Sequence, residues 1–124
     1  MADETNTVLV VDDHPDLCAI MVRMLELCGR SATYALDGVE ALEAIRRSPP
    51  GLVLLDIMMP GLGGFEVLKA VRDDPRFSSI PVVMCSAIGD PSTRREATEL
   101  GAQDYMVKGH FGYDELKAMV EKYV

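Results

Sequence analysis

Tryptophan is missing from this 124-residue chain, and cysteine and histidine are scarce. Cys18, Cys28 and Cys85 stand in apolar surroundings with no Cys-x-x-Cys spacing, and His14 and His110 are the only imidazoles. That set does not make a zinc centre or a disulfide framework, so the thiols read as buried and reduced, as in a cytoplasmic protein. Positive charge is short as well. Twelve Lys and Arg against 20 Asp and Glu leave a formal net charge of -8. Surfaces that hold nucleic acid or anionic membrane are built from clustered cations, so neither is an expected direct partner. No apolar run approaches the length of a membrane span, and the opening Met-Ala-Asp-Glu-Thr-Asn-Thr is polar, so no signal peptide or anchor is expected. With 7 prolines, 10 glycines and 48% hydrophobic residues, the composition is that of a globular domain. The length suits one core and not two. Residues 1–6 are expected to be disordered and 7–124 to form one domain.

What is present is a repeated strand-to-helix pattern. Val8-Leu9-Val10-Val11 is a short β-branched run that stops at Asp12-Asp13, and apolar residues then recur at helical spacing through Leu17, Ile20, Met21, Met24, Leu25 and Leu27. Asp13 or His14 can cap that helix, Pro15 suits its first turn and Gly29 its end. The same succession follows at 32–35 and 39–46, 52–55 and 65–71, 80–85 and 94–100, and 105–107 and 113–123. Five such units without a hairpin signal imply parallel strands joined by right-handed crossover helices. The runs at 8–11, 52–55 and 80–85 are apolar enough to be central, whereas Ser31-Ala32-Thr33-Tyr34 reads as an edge. The expected fold is therefore α/β and doubly wound, a five-stranded parallel sheet of order 2-1-3-4-5 flanked by five helices, as in flavodoxin-like proteins.

Open parallel sheets bind ligands beyond the carboxyl ends of their strands, near the point where strand order reverses. The residues at those ends are Asp12 and Asp13, Asp56, Ser86 and Lys108. Each alone has a plain structural reading. An Asp pair can cap a helix, Asp56 can form the turn before Pro60, Ser86 can cap, and a strand-end lysine is usually solvated. Together they put three carboxylates, a hydroxyl and an ammonium in one cleft. Such carboxylates repel and raise one another's pKa unless a cation neutralises them, and an all-oxygen donor set favours Mg²⁺. Magnesium tends to keep a place for a phosphate oxygen, to which Lys108 would add a second positive charge.

Asp12-Asp13, Asp56-Ile-Met-Met-Pro60-Gly61, Gly64, Ser86-Ala87, Gly101-Ala102-Gln103-Asp104-Tyr105 and Lys108 resemble, in order and over essentially the whole chain, the receiver domain of two-component response regulators. The resemblance implies that Asp56 is the phosphoacceptor, attacking a phosphohistidine on a histidine kinase or a histidine phosphotransfer protein. It implies further that Asp13, Asp56 and the Met58 backbone hold Mg²⁺, with Asp12 acting directly or through water, and that Met58 also borders the phosphoryl group. The Ser86 hydroxyl, the Ala87 N–H and Lys108 would bind the phosphoryl oxygens. Tyr105 resembles the switch aromatic that moves when Ser86 shifts, repacking the surface of the fourth helix, fifth strand and fifth helix. A receiver modifies itself and turns over no separate substrate. It signals to a downstream protein or a covalently linked output domain. Met59, Met84 and Met106 read as packing, and the two histidines as bystanders.

Gly109 follows Lys108 where the family usually has proline, so a trans Lys108-Gly109 bond and a looser loop are expected. That departure favours one rival, a receiver-like binding module that works without phosphorylation. Two other rivals fit less well. A haloacid-dehalogenase-type phosphatase needs an acid where Met58 stands, and a flavin module wants a Ser/Thr/Gly-rich loop where Asp12-Asp13-His14-Pro15 is found.

Overall fold

The computed structural model describes residues 7–124. The expected disordered segment, 1–6, lies outside the described residues. Strands β1 (Thr7–Val11), β2 (Ser31–Ala35), β3 (Leu52–Leu55), β4 (Val82–Ser86) and β5 (Asp104–Val107) alternate with α1 (Pro15–Leu27), α2 (Gly38–Arg47), α3 (Gly64–Asp73), α4 (Pro91–Glu99) and α5 (Tyr113–Tyr123). All four strand pairings are parallel, in the order β2-β1-β3-β4-β5. This is the doubly wound sheet expected from the sequence, with β2 at an edge and β1, β3 and β4 inside.

Side chains on a strand alternate between faces, and each face here has its own core. Leu9, Val11, Val53, Leu55, Val82 and Met84 pack with Ala41 and Ile45 of α2, Val67, Leu68 and Val71 of α3 and Ala97 of α4. Val8, Val10, Leu52, Leu54, Val83 and Cys85 pack on the other face with Cys18, Met21 and Leu25 of α1 and Leu116 and Val120 of α5. Covering on both faces explains why the inner strands are continuous apolar runs. Burial pushes the Cys18 thiol up to about 11 and that of Cys85 to about 12, so both stay protonated. Among the described residues no helix is long and apolar enough to cross a membrane.

Two elements start more than one residue away from the sequence expectation. β4 begins at Val82 rather than residue 80, because Ile80 closes a turn onto the Phe77 carbonyl and Pro81 has no N–H for a ladder. α4 begins at Pro91, three residues early: Asp90 accepts the Thr93 N–H at 3.0 Å, a cap that the polar composition of this helix had masked. α1 is preceded by His14, which makes no side-chain cap bond.

One side chain ties the far end of the sheet together. The Arg72 guanidinium donates to the carbonyls of Gly101 (2.9 Å), Ser78 (3.1 Å) and Ile80 (2.8 Å) and to Gln103 Oε1 (2.7 Å). Gln103 Oε1 also accepts the Val82 N–H at 2.7 Å, so Arg72 fixes the starts of β4 and β5 at once. Replacing Arg72 by methionine leaves these acceptors without their donor and should lower stability by about 2–4 kcal/mol in urea unfolding at unchanged m-value. Arg72→Lys should recover little, since an ammonium cannot span the same four acceptors.

Candidate functional site

The carboxyl ends of two neighbouring inner strands, β1 and β3, deliver the acidic groups. Backbone bonds carry the ladder one residue past each strand: the Asp12 N–H donates to the Ala35 carbonyl at 3.1 Å, and the Asp56 N–H to that of Val11 at 3.0 Å. Asp12 and Asp56 are each only 3% exposed. The chain must then leave the sheet sharply. Gly61 takes φ +73°, and Gly64 lies so close to the previous turn that a Cβ there would stand 2.0 Å from the Asp56 carbonyl oxygen. An apolar strand thus ends on a charge because strand pairing on both sides and the turn after it fix that charge at the mouth of the sheet.

Lys108 follows β5 and reaches back into the cleft. Its Nζ lies 2.5 Å from Asp12 Oδ2 and 3.0 Å from Asp56 Oδ2, and its backbone N–H donates to the Ser86 carbonyl at 2.9 Å. Burial pushes the Lys108 ammonium toward neutrality, but its bonds to Asp12 and Asp56 outweigh this and raise its pKa. The two carboxyls diverge. Burial raises both, yet hydrogen bonds from Lys108 and His14 hold Asp12 below its usual range, while Asp56 stays raised against the pull of Lys108 and the Met58 N–H.

The loop after Lys108 opens with a closed turn. The Lys108-Gly109 bond is trans, Gly109 takes φ +82°, and the His110 N–H closes onto the Val107 carbonyl at 3.0 Å. Glycine at the third position of such a turn is what a type II geometry demands, and a proline ring, locked near -65°, could not adopt it.

His14, set aside on sequence grounds, belongs to the cleft. Its Nδ1 is 2.9 Å from Asp12 Oδ1 and 3.1 Å from Asp13 Oδ1, and hydrogen bonding to Asp12 raises its pKa. Nδ1 is in hydrogen-bond geometry with Asp12 Oδ1, and the buried Asp13 Oδ1 accepts no hydrogen bond. Ligand atoms of Asp12, Asp13 and His14 lie within 4.8 Å of one another. An orphaned buried oxygen within an anionic set that has one lysine for its counter-ion fits a hard divalent cation. Asp56 is not in that group.

The remaining expected residues border the same cleft. Ser86 is buried, and its Oγ accepts the Ile88 N–H at 3.2 Å. Ala87 is exposed and lines, with His14, Pro15 and Lys108, an open depression of about 490 Å³. Met58 is 64% exposed beside Asp56. Half-buried Tyr105 donates its hydroxyl to the Ile88 carbonyl, beside the Ser86 side chain. Burial raises its phenol, with Ser86 and Arg94 acting in the opposite direction. Sequence reasoning missed His14 and Ile88. The first stands directly after the acidic pair, which was the available signal; the second contributes only backbone.

Comparison with known proteins yields one coherent set. The family model described as the response regulator receiver domain matches residues 8–121. A probable transcriptional regulator of Guillardia theta is 41% identical over 113 residues, covering 91% of this chain and 43% of that protein. The DNA-binding dual master transcriptional regulator RpaA of Synechocystis is 33% identical over 91% of this chain and 46% of its own length. The chain thus spans less than half the length of these curated relatives. Among solved structures, Vibrio cholerae chemotaxis protein CheY4 superposes with a TM-score of 0.89 at 28% identity, covering 95% of this chain and 98% of that one. The Francisella response regulator 1452 receiver domain does so with 0.86 at 32%, covering 94% of each.

Because burial raises the folded-state pKa of Asp56 above its ordinary 3.8, the fold penalises the charged form. Stability is lost on this account as pH rises from the unfolded value through the folded one, and is recovered below it. Asp56→Asn should therefore unfold at higher denaturant than the wild type at pH 7 without divalent metal, and the gap should close as pH falls through the carboxyl range.

Proposed function

From the premise that the chain belongs to the response regulator receiver domain family, we propose that residues 7–124 act as one such domain and that Asp56 is its phosphoacceptor. The observation that carries this reading is the convergence of Asp56 and Asp12 on Lys108, at 3.0 and 2.5 Å, at the carboxyl ends of β3, β1 and β5. A carboxylate oxygen of Asp56 attacks the phosphorus of a phosphohistidine on a histidine kinase or phosphotransfer protein. The O–P bond forms, the N–P bond breaks, and the electron pair returns to the imidazole. Lys108 is already within reach of a group on Asp56 and neutralises the transferred oxygens. Ser86 Oγ accepts the Ile88 N–H, and the Ser86 proton would turn to donate to the phosphoryl group, beside the Ala87 N–H.

Asp12, Asp13, Asp56 and the Met58 carbonyl are the residues that would hold Mg²⁺. When bound, the ion supplies positive charge to the phosphoryl oxygens that Lys108 does not reach. Catalysis is limited to the domain's own phosphorylation and dephosphorylation, and a cytoplasmic location follows from the kinase partner. Tyr105 and Ser86 form the switch, and the face of α4, β5 and α5 is what a downstream protein or a linked output domain reads. Gly109 was the observation that favoured a phosphorylation-independent module. The closed turn that it forms withdraws that support, since Lys108 stands in the cleft without a following proline.

Intact-mass measurement after incubation with acetyl phosphate and Mg²⁺ tests the reading. One phosphoryl adduct is expected in the wild type, and none in Asp56→Asn or after chelation of the metal. An adduct that persists in Asp56→Asn overturns the assignment of the acceptor.

A further inference from the structure

A ring of contacts leads from the acidic cleft to the outer surface of α4. Ser86 Oγ accepts the Ile88 N–H at 3.2 Å, and the Ile88 carbonyl accepts the Tyr105 hydroxyl. The Arg94 guanidinium lies over the Tyr105 ring, 5.1 Å from its centroid, and Arg94 Nε donates back to the Gly89 carbonyl at 3.3 Å. Gly89 is pressed on β5, since a Cβ there would stand 3.0 Å from Val107 Cγ2. Tyr105 is thus gripped at its hydroxyl by the β4–α4 turn and at its ring face by a cation from the first turn of α4. No carboxylate pairs with Arg94 among the described residues, so the ring and the turn are what this guanidinium holds. Its helix is anchored independently: Asp90 caps α4, and the Arg94 N–H closes the first turn onto the Asp90 carbonyl. Arg94 can therefore be changed without undoing the helix start.

We propose that Arg94 is a positioning residue that clamps Tyr105 against the β4–α4 turn and so sets how readily the Ser86 side of the cleft rearranges. The proposal rests on the reading of Ser86 and Tyr105 as one moving unit. A contact made in only one of two arrangements shifts their populations by its own free energy. A cation over an aromatic face at an exposed position corresponds to about a two- to fivefold shift. The planar guanidinium covers the ring while Nε bonds Gly89, a combination that lysine cannot supply.

The test compares wild type, Arg94→Ala and Arg94→Lys by two readouts, the NMR signals of the Tyr105 ring in the unphosphorylated protein and the rate of adduct formation with acetyl phosphate and Mg²⁺. Arg94→Ala should shift the ring signals and raise the rate about two- to fivefold. Arg94→Lys, which keeps the charge and loses the Gly89 bond, should fall between. Ring signals that superpose on the wild type in Arg94→Ala overturn the clamp, and so does a shift in them with no change in rate. Should the wild type form no adduct, it is the phosphoacceptor reading that fails, and the ring signals of the unphosphorylated protein then decide for or against the clamp by themselves.

Discussion

Two buried carboxylates facing one ammonium form the contact on which the rest of the molecule depends. Asp12 and Asp56 sit one residue beyond neighbouring strands, and parallel pairing leaves them no freedom to separate. Taking such groups out of water costs several kcal/mol per ion unless partners compensate. Lys108 compensates both, and the demands of the two are met unequally: Asp12 is held well ionised, while Asp56 keeps a residue of the burial penalty. The less satisfied carboxylate is the one proposed as the phosphoacceptor. Strain of this kind persists only where the surroundings over-determine the geometry, and here two apolar cores, one on each face of the sheet, do so.

The two ends of the sheet divide the work. At the amino ends, Arg72 knits the starts of β4 and β5 with short bonds to backbone and to Gln103, and little there can move independently. At the carboxyl ends, the β4–α4 turn is held by a chain of single contacts from Ser86 through Ile88 to Tyr105 and Arg94, each of modest strength. A rearrangement confined to the second end leaves the bonds of Arg72 untouched. Under the proposed phosphorylation of Asp56, rigid support beneath a weakly latched rim would let a small charge change there be read at a distance.

Much of this was legible in the sequence because the signals were local. Each strand run of Val, Leu, Ile or Met ended on a residue with chemistry, and topology alone then gathered Asp12, Asp13, Asp56, Ser86 and Lys108. The edge position of β2 followed from its polar alternation. What escaped were contacts between side chains distant in sequence. The bonds from Arg72 to Gly101 and Gln103 span 29 and 31 residues. No periodicity announces that an arginine on α3 will end between two strands, or that one on α4 will cover Tyr105. His14 escaped for a different reason. A histidine in the N-cap position reads as a helix boundary, and only the fold of the Asp12-Asp13 turn brings its ring onto both carboxylates.

Gly109 bears on what positions a lysine in such a cleft. If the residue after Lys108 had to be a rigid one, glycine would leave the ammonium undirected. Three other constraints act on Lys108 first. Its N–H is bound to Ser86 in the ladder of the β4–β5 pair, its own turn is closed by His110 onto Val107, and its Nζ falls between two anions at once. Ladder and turn set the direction in which the side chain leaves the backbone, and the anions fix its far end. The flexibility of glycine is then spent on the one conformation, φ +82°, that this turn needs. The position of the ammonium is therefore a property of strand pairing and charge, and the identity of the next residue selects only the kind of turn by which the chain reaches α5.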